Sequence, residues 1–281
     1  MIYAYFKISK QAVNQYEQRY FNRMMYHQDL LTQAHIERTI HPRMGAKVLY
    51  DKLQPEHIGR VGYEKLLREN GFNLRRLKNY FKTTDSAWVH YNNLIANKTL
   101  NDINQVWVSD ITYYMMGEQV CYITTLMDLY SRRILGYSAS ERMTAEQSSM
   151  KCLNMAFRER GGRSYDHLVH HSDRGSQYRF NKYVALLKAK GVSISMCKSV
   201  YDNPHMERFN GTLKNDYLIP LGVDSFKQLK KLLPIVIKRY NTQRPHSSLG
   251  KSTPLKFEYA ISITPLKNRP LTKIKPEVSI I

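Results

Sequence analysis

The chain has 281 residues, 42% of them hydrophobic, enough for one large packed domain or two to three small ones and inconsistent with wholesale disorder. Lys and Arg number 43 against 23 Asp and Glu, a net charge of +20 that suits a polyanionic partner, nucleic acid being the commonest. Cys121, Cys152 and Cys197 form no C-x-x-C pair, which argues against a disulfide framework or a cysteine zinc site.

The charge is uneven. Residues 1–101 carry 16 basic and 8 acidic residues, residues 102–220 carry 15 and 12, and residues 221–281 carry 12 and 3. Basic flanks therefore enclose a nearly balanced middle, as expected when flanks grip phosphates around a centre that needs carboxylates. No run of 18 apolar residues is present, so no membrane partner is expected. The start, Met1–Lys7, lacks the apolar stretch of a signal peptide, and the expected address is the cytoplasm, on the nucleoid.

Residues 1–85 read as a helical DNA-binding region. His41–Leu53 and Val61–Gly71, followed by Leu74–Lys78, resemble a loose helix-turn-helix unit. Val61, Leu66, Leu67 and Gly71 fit a helix with a glycine stop. Arg68, Arg75, Arg76 and Lys78 would then line a basic DNA-contacting surface, or an ordinary solvated helical face. Residues 86–104 are polar and rich in Asn, and read as a linker.

The pattern then changes to period two. Val106, Val108, Asp110, Thr112 and Tyr114 share one face of a strand. Glu118–Tyr130 and Arg133–Ser140 follow as strands, with turns at Gly117 and Ser131-Arg132, giving an antiparallel meander. Thr144-Ala-Glu-Gln147 is a capping box opening a helix that ends near Arg160 at Gly161-Gly162. His167–Ser172 is a strand, Phe180–Lys190 a helix and Val192–Met196 a strand. Asn203 as N-cap and Pro204 at the first position open a last helix running to about Leu218. The fold class is α/β, a mixed five-stranded sheet flanked by helices over residues 105–220, in ribonuclease-H-like order. Residues 221–281 read as a basic C-terminal helix and extension.

Three acids stand out. Asp110 sits mid-strand on an apolar face, where an unpartnered carboxylate is costly and needs a partner such as a metal. Asp173 ends the fourth strand, where ligands collect in open α/β sheets. Glu207 lies in the first turn of the last helix. On that helix Met206, Phe209, Leu213 and Tyr217 form an apolar face, and Glu207, Asn210, Gly211 and Lys214 a polar one. Three carboxylates on converging elements suit two hard divalent ions working on a phosphodiester, with Lys214 as a point charge on a nearby phosphate. A single Asp at a strand end is a cap or turn residue more often than a ligand, and Glu207 alone could serve as a partner of the helix dipole.

Taken together the motifs resemble a known family. Asn104–Tyr113, Asp128–Arg132, Gly136–Ser138, His171–Tyr178, Tyr201–Lys214 and Tyr240–Gly250 with Thr253-Pro254 resemble insertion-sequence transposases of the second-reading-frame type, with a retroviral-integrase-like core. The resemblance spans about residues 41–258. It implies that Asp110, Asp173 and Glu207 are catalytic metal ligands for two magnesium ions, with manganese able to substitute. It also implies DNA ends and target as partners, a homo-oligomer on DNA, and an upstream reading-frame partner or fusion. The spacing departs from the family: 33 residues separate Asp173 from Glu207 where the common pattern has 35.

Other residues are weaker candidates. His170 and His171 point to opposite faces of a strand and cannot readily share an ion. Asp128 reads as a turn or salt-bridge residue rather than a fourth ligand, and Asp202 as a turn residue. Arg244, His246 and Ser247 are open to either a DNA-contacting or a structural role, with Arg244 taken as the DNA contact. Two rival functions remain at this stage, a structure-selective nuclease on the same fold and a non-catalytic DNA-binding regulator.

Overall fold

The computed structural model describes residues 9–74, 91–162, 164–197 and 203–275. The chain divides into two units, residues 1–76 and 77–281.

In the first unit Ser9 caps a long helix, α1 (Lys10–Ile40), its Oγ accepting from Ala12 N at 3.0 Å. Two shorter helices follow, α2 (Ala46–Leu53) and α3 (Arg60–Glu69). They coincide with the two segments expected to pair. A small core joins all three: Leu30 and Ala34 of α1, Leu49 of α2, and Tyr63, Leu66 and Leu67 of α3. Arg68 is exposed on α3, whereas Arg75, Arg76 and Lys78 lie outside the described residues.

The second unit is built on a five-stranded sheet. With β1 (Thr99–Leu100) preceding it, the sheet comprises β2 (Val106–Met116), β3 (Gln119–Asp128), β4 (Ile134–Ser140), β5 (Val169–Ser172) and β6 (Ser193–Met196), in the order β4-β3-β2-β5-β6. The first three pair antiparallel; β5 and β6 add in parallel on the other side of β2. This is the mixed ribonuclease-H-like sheet expected from the element order.

Alternation along β2 sends side chains into two cores. On one face Val106, Val108, Tyr114 and Met116 pack with Met206 and Phe209 of helix α6 (Pro204–Gly211), and with Leu229, Val236 and Tyr240 of α7 (Phe226–Gln243). On the other, Trp107 packs with Leu153 and Phe157 of α4 (Ser149–Arg160) and with Tyr183 and Leu187 of α5 (Asn181–Ala189).

Three features differ from expectation. The helix opened by Thr144 starts only at Ser149: Thr144 Oγ1 does accept from Gln147 N at 3.4 Å, but residues 145–148 form turns. Asn203 takes the N-cap position of α6, but its side chain makes no capping bond; its amide donates instead to Ser109 O at 3.3 Å, tying the helix start to β2. Residues 91–104 do not behave as a linker. Ile95 and Leu100 are buried in the main core, Leu94 N donates to Ser195 Oγ at 2.8 Å, and β1 pairs with β7 (Thr272–Lys273). Their few apolar side chains suffice to anchor a polar segment. The C-terminal segment, read as a basic helix and extension, also adds to the core: Leu229, Leu233, Ile237 and Tyr240 of α7, and Ile261 of α8 (Pro254–Ser262), pack with the sheet.

Strand β4 and helix α4 approach closely at Gly136, where a Cβ would meet the Cys152 carbonyl oxygen at 2.1 Å. That oxygen is backbone and cannot swing aside. Gly136→Ala is therefore expected to separate β4 from α4 and lower stability by about 1–3 kcal/mol, read as a shift of the chemical-denaturation midpoint.

Candidate active site

The register of β2 and β5 builds the site. Val106, Trp107 and Val108 pair with Val169, His170 and His171. Continued past the end of β5, that parallel register carries Asp173 alongside Asp110, on strands about 4.8 Å apart. Both aspartates are half-buried. Asp110 has its pKa pushed up to about 7, first by burial and then by the negative charge of Asp173, with a smaller contribution from Glu207. Burial likewise raises Asp173, partly offset by Gly175 N, which donates to Asp173 Oδ1 at 3.0 Å. Glu207 is raised by burial while its side of α6 faces solvent.

The glutamate helix supplies the polar complement. Its apolar residues Met206, Phe209, Leu213 and Tyr217 are all buried, as their spacing predicts. Asn210, one turn on from Glu207, donates from Nδ2 to Asp110 Oδ2 at 2.7 Å. After Gly211 the α-helix passes directly into a π-helical segment, Thr212–Leu218, marked by Ile219 N donating to Lys214 O at 3.0 Å. The wider π turns are found chiefly at functional sites. Within that segment Lys214 Nζ donates to Thr112 Oγ1 at 3.0 Å and lies 5.2 Å from the Tyr113 ring centroid. Burial lowers the Lys214 pKa and Asp110 raises it, so this lysine stands beside the carboxylates.

The residues fit a divalent cation. Two buried carboxylates, one raising the pKa of the other, are a site in need of positive charge, and Asn210 Oδ1 beside them is buried without a hydrogen-bond partner. Carboxylate and amide oxygens are the hard donors that magnesium takes. Among the described residues no three His, Cys, Asp or Glu side chains are close enough together to hold one ion, so the third acid stands apart from the other two. The shortened spacing before Glu207 falls around residues 198–202, outside the described residues, as does Asp202.

Two further residues, Thr112 and Tyr178, were not singled out by sequence. Thr112 is two places beyond Asp110 on the same strand face, which is the signal that could have found it. Tyr178 is buried close enough to Asp173 to feel its charge, and its hydroxyl is 2.9 Å from Ser109 Oγ on β2.

The weaker candidates have other partners. His170 Nε2 lies 2.9 Å from Tyr183 Oη, while His171 Nδ1 and Nε2 lie 2.8 Å from Ser195 Oγ and 3.1 Å from Cys197 Sγ. Asp128 is a turn and salt-bridge residue: it accepts from Tyr130 N, Ser131 N, Asn104 N and Arg160 Nη2. Arg244, taken as a DNA contact, is instead half-buried and donates to Asp216 Oδ2 at 2.7 Å, 5.8 Å from the Tyr217 ring centroid. The apolar contacts of α7 turn it inward, a placement that the Pro-His-Ser-Ser sequence around it does not reveal. The three cysteines are buried and form no disulfide.

A carboxylate whose folded pKa exceeds its unfolded value binds its proton more tightly when folded. Its stabilising effect is present below its ordinary value of 3.8 and is lost as pH rises through about 7. Asp110→Asn is therefore expected to raise the melting temperature of the metal-free protein at pH 8. At pH 5, where the folded Asp110 is largely protonated, the gain should be smaller, and it should vanish only below 3.8.

Comparison with known proteins places the chain. The integrase core domain family matches residues 101–201, and a second integrase core domain family matches residues 191–254. The chain is 35% identical to the Insertion element IS600 uncharacterized 31 kDa protein of Shigella sonnei, over 71% of this chain and 75% of that one. It is 29% identical to the Transposase for insertion sequence element IS904 of Lactococcus lactis, over 75% of this chain and 94% of that one. The Transposase InsF for insertion sequence IS3A of Escherichia coli is 35% identical over 55% of this chain and 54% of its own length. Among solved structures, the HTLV-2 integrase catalytic core domain in complex with magnesium is 16% identical with a TM-score of 0.46, over 56% of this chain and 97% of that one. The chain belongs to the insertion-sequence transposases that carry an integrase core domain.

Proposed function

We propose that this transposase cuts and rejoins DNA strands at the ends of its element, with Asp110, Asp173 and Glu207 as its DDE catalytic set holding two divalent ions, magnesium or manganese. The observation that carries this reading is the juxtaposition of Asp110 and Asp173, where burial and then the charge of Asp173 push the Asp110 pKa up to about 7 and call for a cation. Two such ions would activate the attacking oxygen and stabilise the leaving one in an in-line displacement at a phosphodiester.

The chain's own groups prepare the site. Asn210 fixes one oxygen of Asp110 and Gly175 N fixes one oxygen of Asp173. Gly175 also keeps that turn open, because a Cβ there would lie 3.0 Å from Asp173 Oδ1. Lys214, held by Thr112, adds a positive charge next to Asp110 that can also meet a substrate phosphate. Water attacks first at the element end, and the freed 3′-hydroxyl then attacks a second strand. The exposed Arg68 and the basic residues Arg75, Arg76 and Lys78 after α3 contribute to DNA contact, in the cytoplasm where the element resides.

Asp110→Ala, Asp173→Ala and Glu207→Ala are each expected to abolish strand cleavage in magnesium while leaving DNA binding largely intact. Wild-type cleavage by any of the three would remove that residue from the set. Asn210→Ala, which frees Asp110 without removing it, should lower cleavage roughly 10–100-fold. A strand-transfer assay on end DNA separates the rivals: joined product identifies the transposase, cut product alone a nuclease, and binding with neither a regulator.

A further inference from the structure

Past Asp110 the strand that carries the site has one free side. Strand β5 pairs with β2 only over Val106–Val108, whereas β3 follows β2 from Trp107 to Met116. Among the described residues no strand pairs with the other edge of β2 from Ile111 onward. Thr112 and Tyr113 are neighbours there, and alternation sends their side chains to opposite faces of the sheet. Yet Lys214 Nζ donates to Thr112 Oγ1 at 3.0 Å and lies 5.2 Å from the Tyr113 ring centroid. An ammonium within reach of both faces stands at the free edge itself, about 7–10 Å along the strand from Asp110.

This edge suits a nucleobase. Tyr113 is only half-buried, so part of its ring meets solvent. Its surroundings continue apolar along the hairpin: in register Tyr113 stands opposite Tyr122, and Met115, 48% exposed, stands opposite Val120, 37% exposed. Such a surface offers nothing to a phosphate, but an aromatic ring matches the flat face of any base. Lys214, beside that ring, is the charge proposed to meet a substrate phosphate. A phosphate on Lys214 and a base on Tyr113 are then adjoining parts of one strand.

We propose that Tyr113 is a stacking platform for an unpaired base of a nucleotide next to the cleaved phosphodiester, with Lys214 on the phosphate beside it. The platform rests on the transposase reading, because that reading brings a DNA strand to Asp110. A base drawn onto Tyr113 leaves the duplex, so the platform opens the element end and holds the scissile phosphate against the carboxylates.

The test uses the full-length protein and end DNA in which each nucleotide flanking the cleaved bond, in turn, is an unpaired 2-aminopurine. At one of the two positions its fluorescence, read before cleavage, should be quenched by the wild type and by Tyr113→Phe, but not by Tyr113→Ala. On ordinary ends Tyr113→Ala should cleave about 10-fold more slowly, the loss of one stacked base. An abasic nucleotide at the quenched position should slow the wild type by a similar factor and slow Tyr113→Ala no further. Absence of quenching at both positions overturns the platform, and so does its loss in Tyr113→Phe. A combined loss of about 100-fold also overturns it, because independent effects multiply and mark a merely structural ring. If Tyr113→Ala fails to fold by its melting profile, Tyr113→Leu takes its place in the same cycle. A wild type that cuts end DNA without quenching either probe defeats the platform alone. A wild type that neither binds nor cuts end DNA defeats the transposase reading beneath it.

Discussion

The site depends on one pairing, the parallel register of β2 with β5. It sets Asp110, in the middle of β2, beside Asp173, just past the end of β5, where burial and then the charge of Asp173 make Asp110 hard to ionise. A folded chain tolerates such a conflict only if neighbouring groups soften it. Here Asn210 and Lys214 do so, from a helix that the main core presses against the same face of β2. The residual repulsion is what the proposed divalent cations would relieve.

That helix is shaped for two tasks at once. Its α-helical half puts Met206 and Phe209 in the core and Asn210 on Asp110. Its π-helical half keeps Leu213, Tyr217 and Leu218 buried while bringing Lys214 to Thr112. A wider turn changes the angular spacing of side chains, so the apolar contacts and the lysine contact can be met together.

The net charge of +20 is not all surface charge. Arg160 and Arg133 both reach the buried Glu258 of α8, and Arg160 also reaches Asp128. Those bonds hold the Glu258 pKa below its ordinary value and fasten the C-terminal segment to the β3–β4 turn and α4. Paired in this way, buried charges define which segments meet more than they add net stability. Of the arginines near Tyr240, Arg244 has its own carboxylate partner in Asp216.

Much was determined by sequence alone. Period-two alternation defined β2 and put Asp110 on the face of Val106 and Val108, the spacing of Met206, Phe209, Leu213 and Tyr217 defined the buried side of the glutamate helix, and element order defined the sheet. These are local patterns, repeated every two or three to four residues, and the chain carries them wherever it folds. The bond from Asn210 to Asp110, the inward turn of Arg244, the incorporation of residues 91–104 and the passage of α6 into a π-helix were decided only by tertiary structure. Each depends on which group from a distant part of the chain arrives as partner: Asp110 for Asn210, Asp216 for Arg244, Ser195 and β7 for residues 91–104. The three acids themselves stand between these cases. Their motifs marked them one by one, but only the parallel register of β2 and β5 brought two of them into each other's field, while Glu207 remains farther off at the solvent side of its helix.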